Sequence, residues 1–361
     1  MRMKALKYVI VYFIILQFVV PLLVPSHEVY HNRIDYELTK SNLHDIDAVL
    51  DQIKRQISRN KSDNYIILLG DSVIYGSPGN SDQPVNVYME QLARQTYGNE
   101  APAIYNLSMP AMQLGDIYTM LLKLDEHKIS TDRVIFNIRY ASFVERTPWP
   151  PAVFWLKDEL RKLDPETFAH IRPQLEATGY TGPEGLYERY KHLLHEDLLP
   201  KVSMFRYKDF IIKSVKHAYS KARGIPIPDD ALGDPRPWFE KEGLEQYLKS
   251  DEIANSYSDM SFDLSEESPD VFFLNQIANH QQGTDTMIVL TGVNQQLMKD
   301  YVQKEGYKQN MSRIDRMMES FPFPYINLEG KIDDALFTDH THFTAEGHEA
   351  LGSLLWNAYI K

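Results

Sequence analysis

Five short apolar runs, each separated from the next by longer segments of helical pattern, constrain this chain more than any other feature. Tyr65–Leu69, Ala103–Leu107, Arg133–Ile138, Met287–Thr291 and Tyr325–Leu328 are largely apolar at successive positions. A strand with one face in water alternates apolar and polar residues, so a run without alternation is buried on both faces. Intervening stretches such as Val85–Thr96 and Leu114–Glu126 carry the three- and four-residue apolar spacing of helices. This alternation predicts an α/β fold, a parallel sheet of about five strands with helices on both sides in a three-layer sandwich. At 361 residues and 43% hydrophobic, the chain has the material for one large domain or two modest ones.

The alternation stops between 147 and 269. That stretch is rich in Trp, Tyr and Pro, with helical periodicity in Leu156–Leu163, Leu186–Leu194 and Phe210–Lys221. It reads as an insertion, either capping the carboxyl edge of the sheet, where aromatic loops line ligand grooves, or forming a helical subdomain with its own core.

The first run leads into Leu69-Gly70-Asp71-Ser72-Val73-Ile74-Tyr75-Gly76. A strand ending in Gly-Asp-Ser puts the hydroxyl on a sharp strand-to-helix turn; taken alone, the tripeptide is equally an ordinary turn and N-cap. Near the other end stands Thr338-Asp339-His340-Thr341-His342, followed by a helix over Glu349–Tyr359. Asp339 and His342, three apart, are spaced to hydrogen-bond, the carboxylate fixing the imidazole tautomer. The second ring nitrogen is then free to take a proton from Ser72, and a serine hydroxyl is a poor nucleophile without such a base.

Gly70-Asp71-Ser72 after the first strand, with Asp339-x-x-His342 near the C-terminus, resembles the SGNH/GDSL hydrolase family over residues 63–146 and 284–361. The resemblance implies a three-layer α/β sandwich with Ser72 as nucleophile and Asp339 and His342 completing a triad. It also implies an oxyanion hole that includes the Ser72 backbone N–H. Two family elements match less closely. The second block, an Asn followed by a Gly that donates its N–H, corresponds to Asn106-Leu107-Ser108-Met109-Pro110-Ala111, so Ala111 or Ser108 stands near the donor position. A backbone donor there does not require Gly as long as φ stays negative. The third block, an Asn side chain after the third strand, has no counterpart at the expected offset; Asn137, Arg139 or Ser142 is the substitute donor. One lost oxyanion donor is worth about 10²–10³ in turnover.

Ahead of all this, Arg2, Lys4 and Lys7 precede an uncharged run from Tyr8 to Val24 in which only Gln17 is strongly polar. About 17–20 apolar residues cross a hydrocarbon core, and no small-residue cleavage site follows. Residues 1–28 therefore read as an uncleaved single-span anchor with a cytoplasmic N-terminus and the remainder extracytoplasmic. Residues 29–62 read as a stalk with an amphipathic helix on Leu43, Ile46, Val49, Leu50, Ile53 and Ile57, and residues 63–361 as the SGNH-like domain interrupted by 147–269.

The net charge is −12, and the three leading cations leave −15 on the rest, which argues against nucleic acid as a partner. With no Cys, thiolate nucleophiles and disulfides are excluded. A membrane-anchored member with a divergent hole resembles proteins that modify envelope glycans, among them polysaccharide O-acetyltransferases. The expected function is a membrane-tethered serine acyl-esterase or O-acyltransferase, without cofactor or metal, acting on an acylated glycan or small ester. A membrane partner supplying acyl groups is a further expectation. Two alternatives stand beside it: a non-catalytic envelope assembly or polymer-binding protein, and a metal site built from Asp339, His340, His342 and His348.

Overall fold

Burial on both faces dictates the sheet. The five apolar runs become β1 (Tyr65–Leu69), β2 (Ala103–Asn106), β3 (Arg133–Arg139), β4 (Asp285–Thr291) and β5 (Tyr325–Asn327). They form one parallel sheet in the order β2-β1-β3-β4-β5. The computed structural model describes residues 2–60, 63–146, 148–182 and 185–360. Side chains of residues 2–6, 9, 10, 188, 189, 192 and 195–197 lie outside the description, as does Thr147, the first residue of the expected insertion.

One face of the sheet, carrying Ile66, Leu68, Ile104, Ile135, Met287 and Val289, packs with the Val85–Tyr97 and Ala345–Tyr359 helices through Met89, Leu351, Leu355 and Trp356. The alternate residues Ile67, Leu69, Phe136, Ile138, Ile288 and Leu290 are buried too, so the opposite face is also covered. This is an α/β architecture compatible with a three-layer sandwich. The strand order reverses beside β1, with β2 on one side and β3 on the other. Ligands of open α/β sheets bind outside the carboxyl ends of the strands at such a switch point.

The expected insertion divides differently from the sequence reading. The chain forms two compact units, one of residues 1–61 and 180–229, the other of 62–179 and 230–361. Residues 148–179 and 230–269 thus stay with the sheet, while 180–229 joins the N-terminal segment. Asp116, buried in the Leu114–Glu126 helix, is one reason for the first attachment: its carboxylate accepts from the backbone N–H of Phe154 (2.8 Å), Trp155 (2.7 Å) and Leu156 (2.9 Å).

In the N-terminal unit, the apolar run lies in a helix over Arg2–Leu23 that contains Pro21. Among the described residues, no helix is long and apolar enough to cross a membrane. Pro21 has no N–H for the Gln17 carbonyl four residues back. Ser203 Oγ supplies the missing donor at 2.7 Å. The Gln17 side chain is matched as well, accepting from Ser203 N (2.9 Å) and donating to the Lys201 carbonyl (2.7 Å). The Pro21 carbonyl, left facing Pro25, accepts from Arg55 Nη1 at 2.7 Å. The one strongly polar residue of the run is therefore hydrogen-bonded through its amide and its carbonyl to Lys201 and Ser203. The amphipathic helix spans Asp45–Asn60, with Ile46, Val49, Leu50 and Ile53 buried. Its Asp51 pairs with Arg206, and its Arg55 donates to Tyr207 Oη at 2.7 Å.

Candidate active site

The turn after β1 is held by side chains from β3. A Cβ on Gly70 would lie 2.0 Å from Asn137 Oδ1, so only glycine lets the two strands approach this closely. Asn137 Oδ1 accepts from Asp71 N (3.1 Å), and its Nδ2 reaches Asp71 Oδ1 (3.2 Å) and Thr291 Oγ1 (3.3 Å). Asp71 caps the short helix over Ser72–Tyr75 through Val73 N (2.9 Å), and Gly76 ends it in the left-handed region at φ 94°. Asp71 also carries an ion pair with Arg139, the last residue of β3. Ser72 is thus presented at the switch point by a turn whose Asp71 carboxylate and backbone N–H are both engaged by β3 side chains.

The Asp339–His342 element reaches Ser72 across 270 residues of sequence. His342 Nε2 lies 2.8 Å from Ser72 Oγ, and His342 Nδ1 lies 2.8 Å from Asp339 Oδ2. The other carboxylate oxygen accepts from the backbone N–H of Thr341 and His342, each at 2.8 Å, fixing its orientation. The following helix starts at Ala345, with Thr344 accepting from Gly347 N at 3.1 Å. Burial alone would raise the Asp339 carboxyl, but the charge and hydrogen bonds of His342, with His340, hold it well below the usual carboxylate range. A serine, an imidazole and an ionised carboxylate in this chain of contacts can deprotonate the hydroxyl and stabilise the resulting imidazolium.

The candidate oxyanion donors separate by what already occupies them. The Ser108 N–H donates to Asn106 Oδ1 (3.1 Å), the Asn137 amide is committed to Asp71 and Thr291, and Ser142 Oγ accepts from Arg139 N (3.1 Å). The backbone N–H groups of Ser72 and Ala111 donate to no protein acceptor among the described residues. Ala111 sits at φ 65°, contrary to the expectation of a negative φ. Met112 N bonds back to the Met109 carbonyl at 3.1 Å, which puts Pro110 and Ala111 at the two central positions of a turn. Proline at the first and a positive φ at the second are the signature of a type II turn, whose second position favours glycine. Pro110 marks a turn in the sequence, but an alanine at its second central position gives no sign of the positive φ.

A cleft of about 900 Å³ opens beside His342. Its walls include Arg139, Trp149, Tyr247, Glu252, Tyr257 and His340. Arg146 braces one wall, pairing with Asp270 at 2.6 and 2.8 Å and donating to the Pro150 carbonyl at 2.7 Å. His340 lies between the rings of Tyr247 and Tyr257, each centroid 5.7 Å away. Burial lowers its imidazole to about 4, aided by the charges of His342 and Arg139 against the opposing pull of Asp339. Sequence reasoning passed over Tyr247 and Tyr257 because nothing local marks a residue brought to the cleft from a distant segment.

The metal arrangement does not form: among the described residues, His340, His342 and His348 do not gather with Asp339 around one point. His348 packs instead against the Phe343 ring at 5.9 Å. No protein-family model matches the chain, and no curated protein sequence matches it.

Proposed function

We propose that this chain is a membrane-tethered, extracytoplasmic serine acyl-esterase or O-acyltransferase of the SGNH/GDSL type. The observation that carries the reading is the unbroken run of 2.8 Å contacts from Ser72 Oγ through His342 to Asp339. In this mechanism Ser72 Oγ attacks the acyl carbonyl carbon as its proton passes to His342 Nε2. The tetrahedral oxyanion takes hydrogen bonds from Ser72 N–H and Ala111 N–H. The C–O bond to the leaving alcohol then breaks, the alcohol takes the proton from His342, and an acyl-Ser72 ester remains. Water, or an acceptor hydroxyl, attacks that ester with His342 again as base, releasing the acid or the transferred ester and restoring Ser72.

Arg139 ends the third strand, just before the place where the family carries an asparagine, and lines the cleft while holding Asp71. It is the side-chain donor proposed for the third position of the hole. The aromatic faces of Trp149 and Tyr247, with Glu252 and Asn255 beside them, support an acylated sugar as substrate, because planar rings stack on pyranose faces and carboxylates accept from hydroxyls. The apolar run Tyr8–Val24, with its leading cations, supports the tether and its orientation.

The test is labelling of the full chain by a fluorophosphonate and turnover of p-nitrophenyl acetate. Labelling on Ser72, abolished in Ser72→Ala and reduced at least about 10³-fold in His342→Gln, is expected, because the two groups act as a unit. Absence of labelling in folded protein would move the chain to the reading of a non-catalytic envelope assembly or polymer-binding protein.

A further inference from the structure

The N-terminal unit leaves uncovered a large apolar surface that plays no part in the catalytic reading. The helix over Lys208–Arg223 buries Phe210 and exposes Ile212 (51%), Val215 (64%) and Tyr219 (57%). At 100° per residue these three fall within about 40° of the direction opposite Phe210, so they form one stripe along the outer face of the helix. Just before it, Met204 and Phe205 are also exposed. Lys216 and Arg223 flank the stripe and make no ion pair among the described residues. In a chain of net charge −12, the segment Leu199–Arg223 holds seven Lys or Arg against Asp209 alone, a net of +6.

An apolar stripe bordered by cations is the pattern of a helix lying in a lipid headgroup region. A second, independent observation joins this surface to the apolar N-terminal helix. Gln17 is bonded through its side chain and its carbonyl to Lys201 and Ser203, immediately before Met204 and Phe205. The exposed Phe13 and Phe18 flank Gln17 in sequence. Any lipid that receives the N-terminal helix to the depth of Gln17 must also accommodate the 199–205 segment tied to it.

We infer that residues 204–219 form a second membrane-contact element, with Met204, Phe205, Ile212, Val215 and Tyr219 seated in an anionic lipid surface and Lys216 and Arg223 facing its headgroups. The N-terminal unit is thus held to the bilayer along a side as well as at a point. This inference rests on the tether reading but extends it from a single helix to a composite surface.

The chain has no native cysteine, so Met204→Cys and Val215→Cys each accept one fluorophore. Both positions are exposed, and the exposed Gln282 of the other unit, as Gln282→Cys, serves as the aqueous reference. The full chain is reconstituted in vesicles of phosphatidylcholine with about a third phosphatidylglycerol. Labels at 204 and 215 are expected to be quenched by doxyl-labelled lipid and to show at least about fivefold weaker quenching by aqueous iodide than the label at 282. Replacing Lys216 and Arg223 by Gln is expected to weaken the lipid quenching at 215, since each cation near an anionic surface contributes roughly a fivefold factor. Iodide quenching equal to the reference overturns the inference, as does shielding from both quenchers, which would mean a protein covers the face. Unchanged quenching in the Lys216→Gln/Arg223→Gln protein overturns the choice of anionic lipid. Vesicle flotation separates the two levels: failure to float refutes the tether, whereas flotation without lipid quenching refutes only the second element.

Discussion

Replacing Gly70 by Ala tests whether the approach of Asn137 to the β1 turn is what presents Ser72. The added methyl would meet Asn137 Oδ1 at 2.0 Å, with Asn137 Cγ and Ile74 Cγ1 both at 3.1 Å. Asn137 has nowhere to retreat without giving up its bonds to Asp71 and Thr291. Overpacking costs about 1–3 kcal/mol and each buried hydrogen bond about 1 kcal/mol more, so Gly70→Ala is expected to lose roughly 3–5 kcal/mol. A shift of the Ser72 turn by about 1 Å would cost on the order of 10²-fold in the rate of acylation. All four tryptophans, Trp149, Trp155, Trp238 and Trp356, lie in the sheet-bearing unit, so urea unfolding followed by tryptophan fluorescence reports that unit alone. The decisive measurement is the double variant with Asn137→Ala, which removes the group struck by the methyl. Gly70→Ala should then add less than about 1 kcal/mol to the cost of Asn137→Ala, a coupling of at least about 2 kcal/mol. Additivity of the two substitutions within about 0.5 kcal/mol would refute the reasoning, because it would mean the methyl and the amide do not compete for the same space.

Three further outcomes follow from single groups. His340 is neutral when folded, with its imidazole lowered to about 4 from an ordinary value of 6.5, so its contribution to stability is complete above pH 6.5 and is lost as pH falls toward 4. His340→Phe should flatten the unfolding free energy across that window by up to about 3 kcal/mol, and an unchanged pH profile would contradict the assignment. Asp45 has the opposite sign: burial, with the nearby charge of Asp209, pushes its carboxyl up to about 8, so its contribution is present below pH 4 and fades as pH rises toward 8. Asp45→Asn should therefore stabilise the N-terminal unit by about 2–4 kcal/mol at pH 7 and by nothing near pH 4, read by circular dichroism of thermal unfolding. Ala111→Gly should raise the stability of the sheet-bearing unit by up to about 1 kcal/mol at unchanged fluorophosphonate labelling, since only backbone strain at φ 65° is relieved; a loss of labelling would show that the alanine methyl itself matters.

How much of the site was legible depended on how local each feature is. Ser72 and the Asp339–His342 pair announce themselves because a strand-end serine and a carboxylate three residues before a histidine are short patterns. The occupancy of the hole was not legible. Asn137 and Ser108 look like donors in sequence, yet the first is spent on Asp71 and Thr291 and the second on Asn106, contacts made partly across strands. Arg139 followed the same logic in reverse: its place at the end of the third apolar run was visible, but its pairing with Asp71 depended on the two strands lying side by side.

The positions of the five strands and of most helices were dictated by the order of apolar residues along the chain, because short unbroken apolar runs and three- and four-residue apolar spacing are set by which faces each element buries. The division of the 147–269 segment was decided only in three dimensions. Asp116 holds the Phe154–Leu156 turn, while Ser203 satisfies a carbonyl that Pro21 leaves unpaired, and these groups draw neighbouring parts of one segment into different units. Local pattern sets which residues are apolar together; which buried donor finds which acceptor is a property of chain segments far apart in sequence, and that pairing exists only once the fold has closed.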